Sequence, residues 1–263
     1  MCELFAMSSR VPTDARASLA AFARHGGLDG HHKDGWGIAY YAEEDVRLVK
    51  EAEPASYSAC VQFLQEHPFT SGVVVSHIRR ATQGRITMKN SQPFARALGG
   101  RMHVFAHNGD LHLEALRAKL PLRHFEPIGD TDSEYAFCAL LERMRALRRH
   151  GGVAPLHERL AAVARFAAHL RTLGPANFLY ADGDALFIHA HRRSPGAGAA
   201  PRPPGLHLLQ RRCAPEQSVV LAASVPLTGE RGWEALSEGE LVAAQGGAIV
   251  ARARVAHAEP ATV

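Results

Sequence analysis

Lysine is scarce in this chain. Of its 30 basic residues only Lys33, Lys50, Lys89 and Lys119 are lysine, and the remaining 26 are arginine. The arginines are scattered, and their densest run, Arg143 to Arg149, falls on a helical stretch as a solvated face. The bias is therefore read as base composition, and no nucleic-acid motif gives the net charge of +4 a nucleic-acid partner. Cysteine is sparse too. Cys2, Cys60, Cys138 and Cys213 form no C-x-x-C pair, which argues against a disulfide framework and for a reduced, cytoplasmic protein. No basic segment leads into an apolar one at the N-terminus, and no apolar run reaches spanning length, so no secretory signal or membrane span is expected. Sixteen histidines are present, but neither H-E-x-x-H nor a closed Cys/His set, so no metal is expected. No internal repeat is visible.

What is present is a globular composition, 46% apolar and 21% charged, over 263 residues, enough to bury a substantial core. Residues 3–8 read as a strand, and Pro12 and Thr13 are expected to open a helix that His25-Gly26-Gly27 closes. Ile38 to Tyr41 and Val46 to Lys50 read as a hairpin around Glu43-Glu44-Asp45. Ser56 is expected to cap a helix ending before Pro68, and Gly72 to His77 reads as a buried strand. Met102 to Ala106 alternates like a strand and is expected to stop at His107-Asn108-Gly109. Thr131-Asp132-Ser133-Glu134 is a capping box opening a helix toward Gly151, and a second helix spans about Leu156 to Leu173. Strands follow at 177–180, 185–188, 206–209, 218–223 and within 240–255. Residues 194–205 read as a mobile loop and 257–263 as a frayed tail. Strands at both ends with two long helices between them indicate one α+β domain over 1–263.

The candidate chemistry starts at Cys2. Removal of Met1 would place a thiol nucleophile and a free α-amine, a base near neutral pH, on one residue. The competing reading is a small hydrophobe opening a strand. Three later stretches complement the thiol. Arg79, after a buried strand, can present a guanidinium fork to a carboxylate, or form a surface ion pair. Asn108 and Gly109 can point an amide and a backbone N–H at a developing oxyanion, or form only a hairpin turn. Asp132, at a helix N-terminus, can bind an ammonium, or serve only the capping box. Taken together they describe an α-amino-acid pocket, a nucleophile and an oxyanion hole, the requirements for hydrolysing a glutamine side-chain amide.

Here the sequence resembles a family, the class II glutamine amidotransferases of the N-terminal-nucleophile hydrolase superfamily, in particular their stand-alone bacterial type. The resemblance rests on Met1-Cys2-Glu3-Leu4, Val11-Pro12-Thr13-Asp14, His32-Lys33-Asp34-Gly35-Trp36-Gly37, His77-Ile78-Arg79, Ala106-His107-Asn108-Gly109, Gly129 to Glu134, and Pro226-Leu227-Thr228-Gly229 with Trp233. It implies a four-layer αββα sandwich of two antiparallel sheets, with no cofactor. It also implies Cys2 as nucleophile with its freed amine as base, Arg79 as the ligand of the substrate α-carboxylate with Thr82 beside it, and Asn108 with Gly109 as the oxyanion hole. Asp132 would bind the substrate α-amine, and Trp36 and Gly37 would line the pocket. One departure stands out: Gln92 occupies the position where relatives carry the His of an Asn-x-His-Pro-Phe pattern. The function implied is glutamine hydrolysis through a Cys2 γ-glutamyl thioester, releasing ammonia, with a separate synthase subunit as a possible partner. The alternatives are cleavage of a larger γ-glutamyl amide, or a non-catalytic binding protein that keeps the fold.

Overall fold

The computed structural model describes residues 2–148, 152–194 and 199–255. Met1, the tail read as frayed, and residues 195–198 of the loop read as mobile lie outside them. Among the described residues no helix is long and apolar enough to cross a membrane.

In chain order the first elements are β1 (Glu3–Asp14), α1 (Arg16–Arg24), β2 (Trp36–Ala42), β3 (Asp45–Glu51), α2 (Ala59–Glu66) and β4 (Thr70–Ile78). Pro12 and Thr13 belong to β1 and do not open α1. The β1–β4 register shifts between Ser8 and Thr13 and then resumes with Thr13 opposite Ser71. Pro12, which has no N–H to donate, sits in that interruption, where a strand tolerates it. The helix begins at Arg16, whose N–H is held by the Asp14 carboxylate at 2.8 Å. Ser58, not Ser56, caps α2, its hydroxyl accepting from Val61 N–H. Ser56 instead donates to the Ala23 carbonyl at 2.9 Å.

Next come β5 (Phe94–Leu98), β6 (Arg101–Gly109), α3 (Leu113–Lys119), α4 (Asp132–Leu147) and α5 (Leu156–Arg171). The chain continues through β7 (Ala176–Ala181), β8 (Leu186–His189), β9 (His207–Ala214), β10 (Gln217–Ala223), β11 (Glu234–Ala235), β12 (Glu240–Gln245) and β13 (Ala248–Arg254). Thr131 caps α4 by accepting from Glu134 N–H. The Glu134 carboxylate does not return to Thr131; it takes the N–H groups of Ile128 and Gly129 and an Arg96 ion pair at 2.5 Å. Half of the expected capping box therefore forms, and its other half anchors the preceding loop. Arg193 and Arg202 exchange two backbone hydrogen bonds of 3.0 Å across the ends of the 194–205 segment.

One sheet runs β11-β9-β10-β1-β4-β2-β3 and the other β13-β12-β8-β7-β6-β5, with every pairing antiparallel. Side chains alternate between the faces of each strand. Leu4 and Ala6 of β1 and Val104 and Ala106 of β6 fill the layer between the sheets. Phe5 and Met7 pack the other way with Phe22 of α1 and Val61 of α2. Phe105 packs on Phe137 of α4, ring centroids 5.5 Å apart, and joins Phe166 of α5. Three apolar layers thus separate four structural ones: helices, sheet, sheet, helices. Truncating one such buried ring costs about 3–5 kcal/mol, a large share of the roughly 5–15 kcal/mol that holds a domain folded.

Candidate active site

Cys2 precedes β1, and the pairing of Glu3 with Ile78 lays it beside the chain leaving β4. Its half-buried thiol accepts from Arg80 N–H and donates to Arg80 O, both at 3.3 Å. Burial pushes the thiol pKa up. The Arg80 N–H and the positive charge of Arg79 pull it down, and the Asp132 carboxylate adds to the rise. Cys2 alternates with Glu3 and so falls on the Leu4 side of the strand, toward the other sheet.

Arg79 is buried, only 3% exposed, and is not a surface ion pair. Its guanidinium donates to the carbonyls of Arg85 (3.0 Å), Gln83 (2.9 Å) and Gly84 (3.2 Å). These three bonds fold the loop after β4 around the cation. Cys2, Asp34 and Asp132 all act electrostatically on it. Asp34 in turn accepts from Ala81 N–H at 2.8 Å. Thr82 is exposed on the same loop. Gln83 binds the Asp110 carboxylate and the Leu111 carbonyl, tying that loop to the segment before α3.

The second sheet contributes the end of β6. Asn108-Gly109 is not a turn: the strand runs through both, pairing Asn108 with Asn177 and Gly109 with Ala176. Glycine is needed at 109 because a Cβ would collide with the Pro175 carbonyl. Asn108 shares the inter-sheet face with Val104 and Ala106. It is fully buried, with its amide N–H directed at Ser224 Oγ at 3.5 Å and its Oδ1 unpartnered among the described residues. Ser224 Oγ accepts from Leu4 N–H at 2.9 Å, and Ser224 N–H donates to Leu4 O at 3.0 Å. Ser224 thereby bridges Asn108 to the strand that begins beside Cys2, across both sheets.

Asp132 is the first residue of α4 and is buried. Its Oδ2 accepts from Leu111 N–H at 2.8 Å. Burial raises its pKa, against the opposing effects of His107 and of the Leu111 and Ser133 N–H groups. Residues 36 and 37 part company. Trp36 pairs with Ile78, packs into the helix-facing core, and donates its indole N–H to Glu51 at 2.9 Å. Its ring lies on the face of the sheet opposite Leu4, and so opposite Cys2. Gly37 pairs with His77 on the inter-sheet face, where a Cβ would collide with the Gln92 carbonyl.

No sequence signal points to Ser224, which lies far along the chain, or to the charges behind Cys2. Glu3 is buried and meets His25 at 2.7 Å and Arg193 at 3.4 Å. Burial raises the Glu3 pKa, but the His25 bond and the surrounding cations more than reverse that, so it ends below its ordinary value. The Glu3 bond raises the His25 pKa. The Glu3 contribution is present above about pH 4.3 and fades as pH falls through the lowered value. The His25 contribution is complete below about pH 6.5 and fades as pH rises through the raised value. The melting-temperature gap between wild type and His25→Gln should therefore peak between those limits; a gap independent of pH would exclude the ion pair. His77, beneath the site, is fully buried, and burial holds its pKa well below the usual imidazole value.

Two stacked antiparallel sheets between helical layers form the N-terminal-nucleophile hydrolase-like fold. Glutamine phosphoribosylpyrophosphate amidotransferase from B. subtilis shares it, with a TM-score of 0.62 over 97% of this chain and 49% of that one, at 16% identity. That likeness concerns the fold alone. A predicted glutamine amidotransferase from Pseudomonas aeruginosa PA01 superposes with a TM-score of 0.66 at 32% identity, covering 95% of this chain and 100% of that one. YafJ of Escherichia coli (strain K12), a putative glutamine amidotransferase by name, is 35% identical over 250 residues, 91% of this chain and 96% of its own length. The family model for class-II glutamine amidotransferases matches residues 1–262, and the chain belongs to that family.

Proposed function

We propose that the protein hydrolyses the side-chain amide of glutamine through a γ-glutamyl thioester on Cys2, acting as a single amidotransferase domain whose mature start is Cys2. One observation carries the reading. The Cys2 thiol is bonded to the backbone of Arg80, next to the buried Arg79, and Gln83 of the same loop bonds Leu111, whose N–H the buried Asp132 holds; Arg79 and Asp132 carry opposite charges suited to the two ends of an α-amino acid. The Arg79 guanidinium would take the substrate carboxylate, with Thr82 on the adjoining loop. Asp132 would take the ammonium. The backbone at Trp36 and Gly37 would border the pocket, although the Trp36 ring is committed to the core.

In the first step Cys2 Sγ attacks the amide carbon. The S–C bond forms, and the carbonyl π pair moves to oxygen, facing the Asn108 amide and Gly109 N–H. The thiol proton passes to the Cys2 amine and from there to the departing nitrogen. The C–N bond breaks, releasing ammonia and leaving the thioester. Water, deprotonated by the same amine, then releases glutamate and restores the thiol. No step calls on a metal or cofactor.

The test is equimolar release of glutamate and ammonia by protein whose intact mass begins at Cys2, with a panel of larger γ-glutamyl amides run alongside. Processed protein that cleaves none of them would overturn the reading. Asp132→Asn keeps an acceptor for Leu111 N–H but loses the charge. A charge-assisted bond is worth about 1.5–3 kcal/mol, so KM for glutamine should rise roughly 10- to 100-fold with kcat nearly retained. An unchanged KM in steady-state kinetics would remove Asp132 from the pocket.

A further inference from the structure

The backbone ladder between β5 and β6 begins with Phe94 opposite Phe105 and does not reach the end of β6. Pro93 cannot extend it, having no N–H. At the next register step the Gln92 side chain takes over. Its Oε1 accepts from His107 N–H at 2.7 Å, and its Nε2 donates to His107 O at 3.2 Å. A carboxamide is a peptide group in miniature, so this side chain supplies the pair of bonds that a neighbouring strand would make. On the other flank the Asn177 amide donates to Asn108 O at 3.0 Å and to Arg192 O at 2.8 Å, while its Oδ1 accepts from His191 N–H at 2.7 Å. Both amides are buried, at 4% and 0% exposure. Gln92 is also pinned through its main chain, which passes so close to Gly37 that no side chain fits between them.

We propose that Gln92 and Asn177 are positioning residues that hold the 107–109 backbone from both sides and so aim Asn108 and Gly109 at the reacting carbonyl. This rests on the functional reading above and deepens it. Neither side chain is assigned to the substrate; each acts through the strand it braces. The bracing matters at this point because, among the described residues, the Asn108 side chain itself is held only by one 3.5 Å bond. Its direction is therefore set by its backbone.

Gln92→Ala and Gln92→Glu test the idea in protein processed to Cys2. The Gln92→Glu variant would keep the acceptor for His107 N–H and lose the donor, so it carries the test if the alanine variant fails to fold. Glutamine hydrolysis is measured beside the rate at which iodoacetamide alkylates Cys2. Alkylation is displacement at a CH₂ carbon and develops no oxyanion, so it reads the thiol without the hole. Misaiming the hole should lower kcat about 10- to 100-fold, with KM and the alkylation rate each within about two-fold of wild type. Wild-type kcat in the variants, or a kcat loss matched by an equal loss of alkylation, would overturn the proposal while leaving the functional reading intact. A wild type that alkylates but cleaves no γ-glutamyl amide would overturn both.

Discussion

Cys2→Ala should abolish glutamine hydrolysis and leave the fold standing. The thiol makes two hydrogen bonds in the described structure, both with the Arg80 backbone at 3.3 Å, and it is only half buried. Removing such contacts costs about 1 kcal/mol, against a total of roughly 5–15 kcal/mol. In a domain of this size that lowers Tm by about 2–4 °C. The effect on rate is of another order. Loss of a covalent nucleophile elsewhere costs about six orders of magnitude in kcat, below the floor of an ammonia assay. Protein that retains Met1 should be equally inactive with its thiol intact, because the amine is then a peptide nitrogen with no basic lone pair. Intact mass, iodoacetamide labelling and ammonia release separate the cases. Undiminished hydrolysis by Cys2→Ala would exclude Cys2 as the nucleophile.

Strand-rich ends around two long helices were readable as α+β because periodicity is a local property; α4 begins at its expected capping residues and ends at Leu147, short of the expected Gly151, which lies outside the described residues, and α5 starts where expected, at Leu156. The four-layer arrangement came from resemblance, since nothing local says which sheet a strand joins. The misreadings share a cause, which is pairing with residues remote in sequence. Asn108-Gly109 has the strongest local preference for a turn, yet β7 continues alongside it and holds it extended. Pro12 looks like a helix opener until β4 resumes its register beyond it. The direction of the Trp36 ring follows from its register with Ile78, and register is invisible in one strand's sequence. Ser224 and Asn177 matter only because folding carries them to the ends of β1 and β6. Gln92 stood out merely as a departure from a pattern, and only its two bonds to His107 give that departure a physical content.

Asn108→Ala should separate catalysis from stability most cleanly. In the free protein Asn108 does little for the fold: it is fully buried and, among the described residues, has an unpartnered Oδ1 and one long side-chain hydrogen bond, to Ser224. An unsatisfied buried polar atom costs about 1–3 kcal/mol, so alanine removes a penalty while opening a small cavity. The net change in stability should stay within about 1 kcal/mol. Removing one donor from an oxyanion hole costs about 10²–10³ in kcat. KM should barely move, because the donor is needed when charge gathers on the carbonyl oxygen rather than when substrate docks. Asn108→Asp should be at least as slow, since a carboxylate offers no N–H and repels the developing charge. Denaturant melts beside steady-state kinetics would decide the point. If kcat survives in both variants, the oxyanion must be held elsewhere, and the buried, half-satisfied amide of Asn108 would need another explanation.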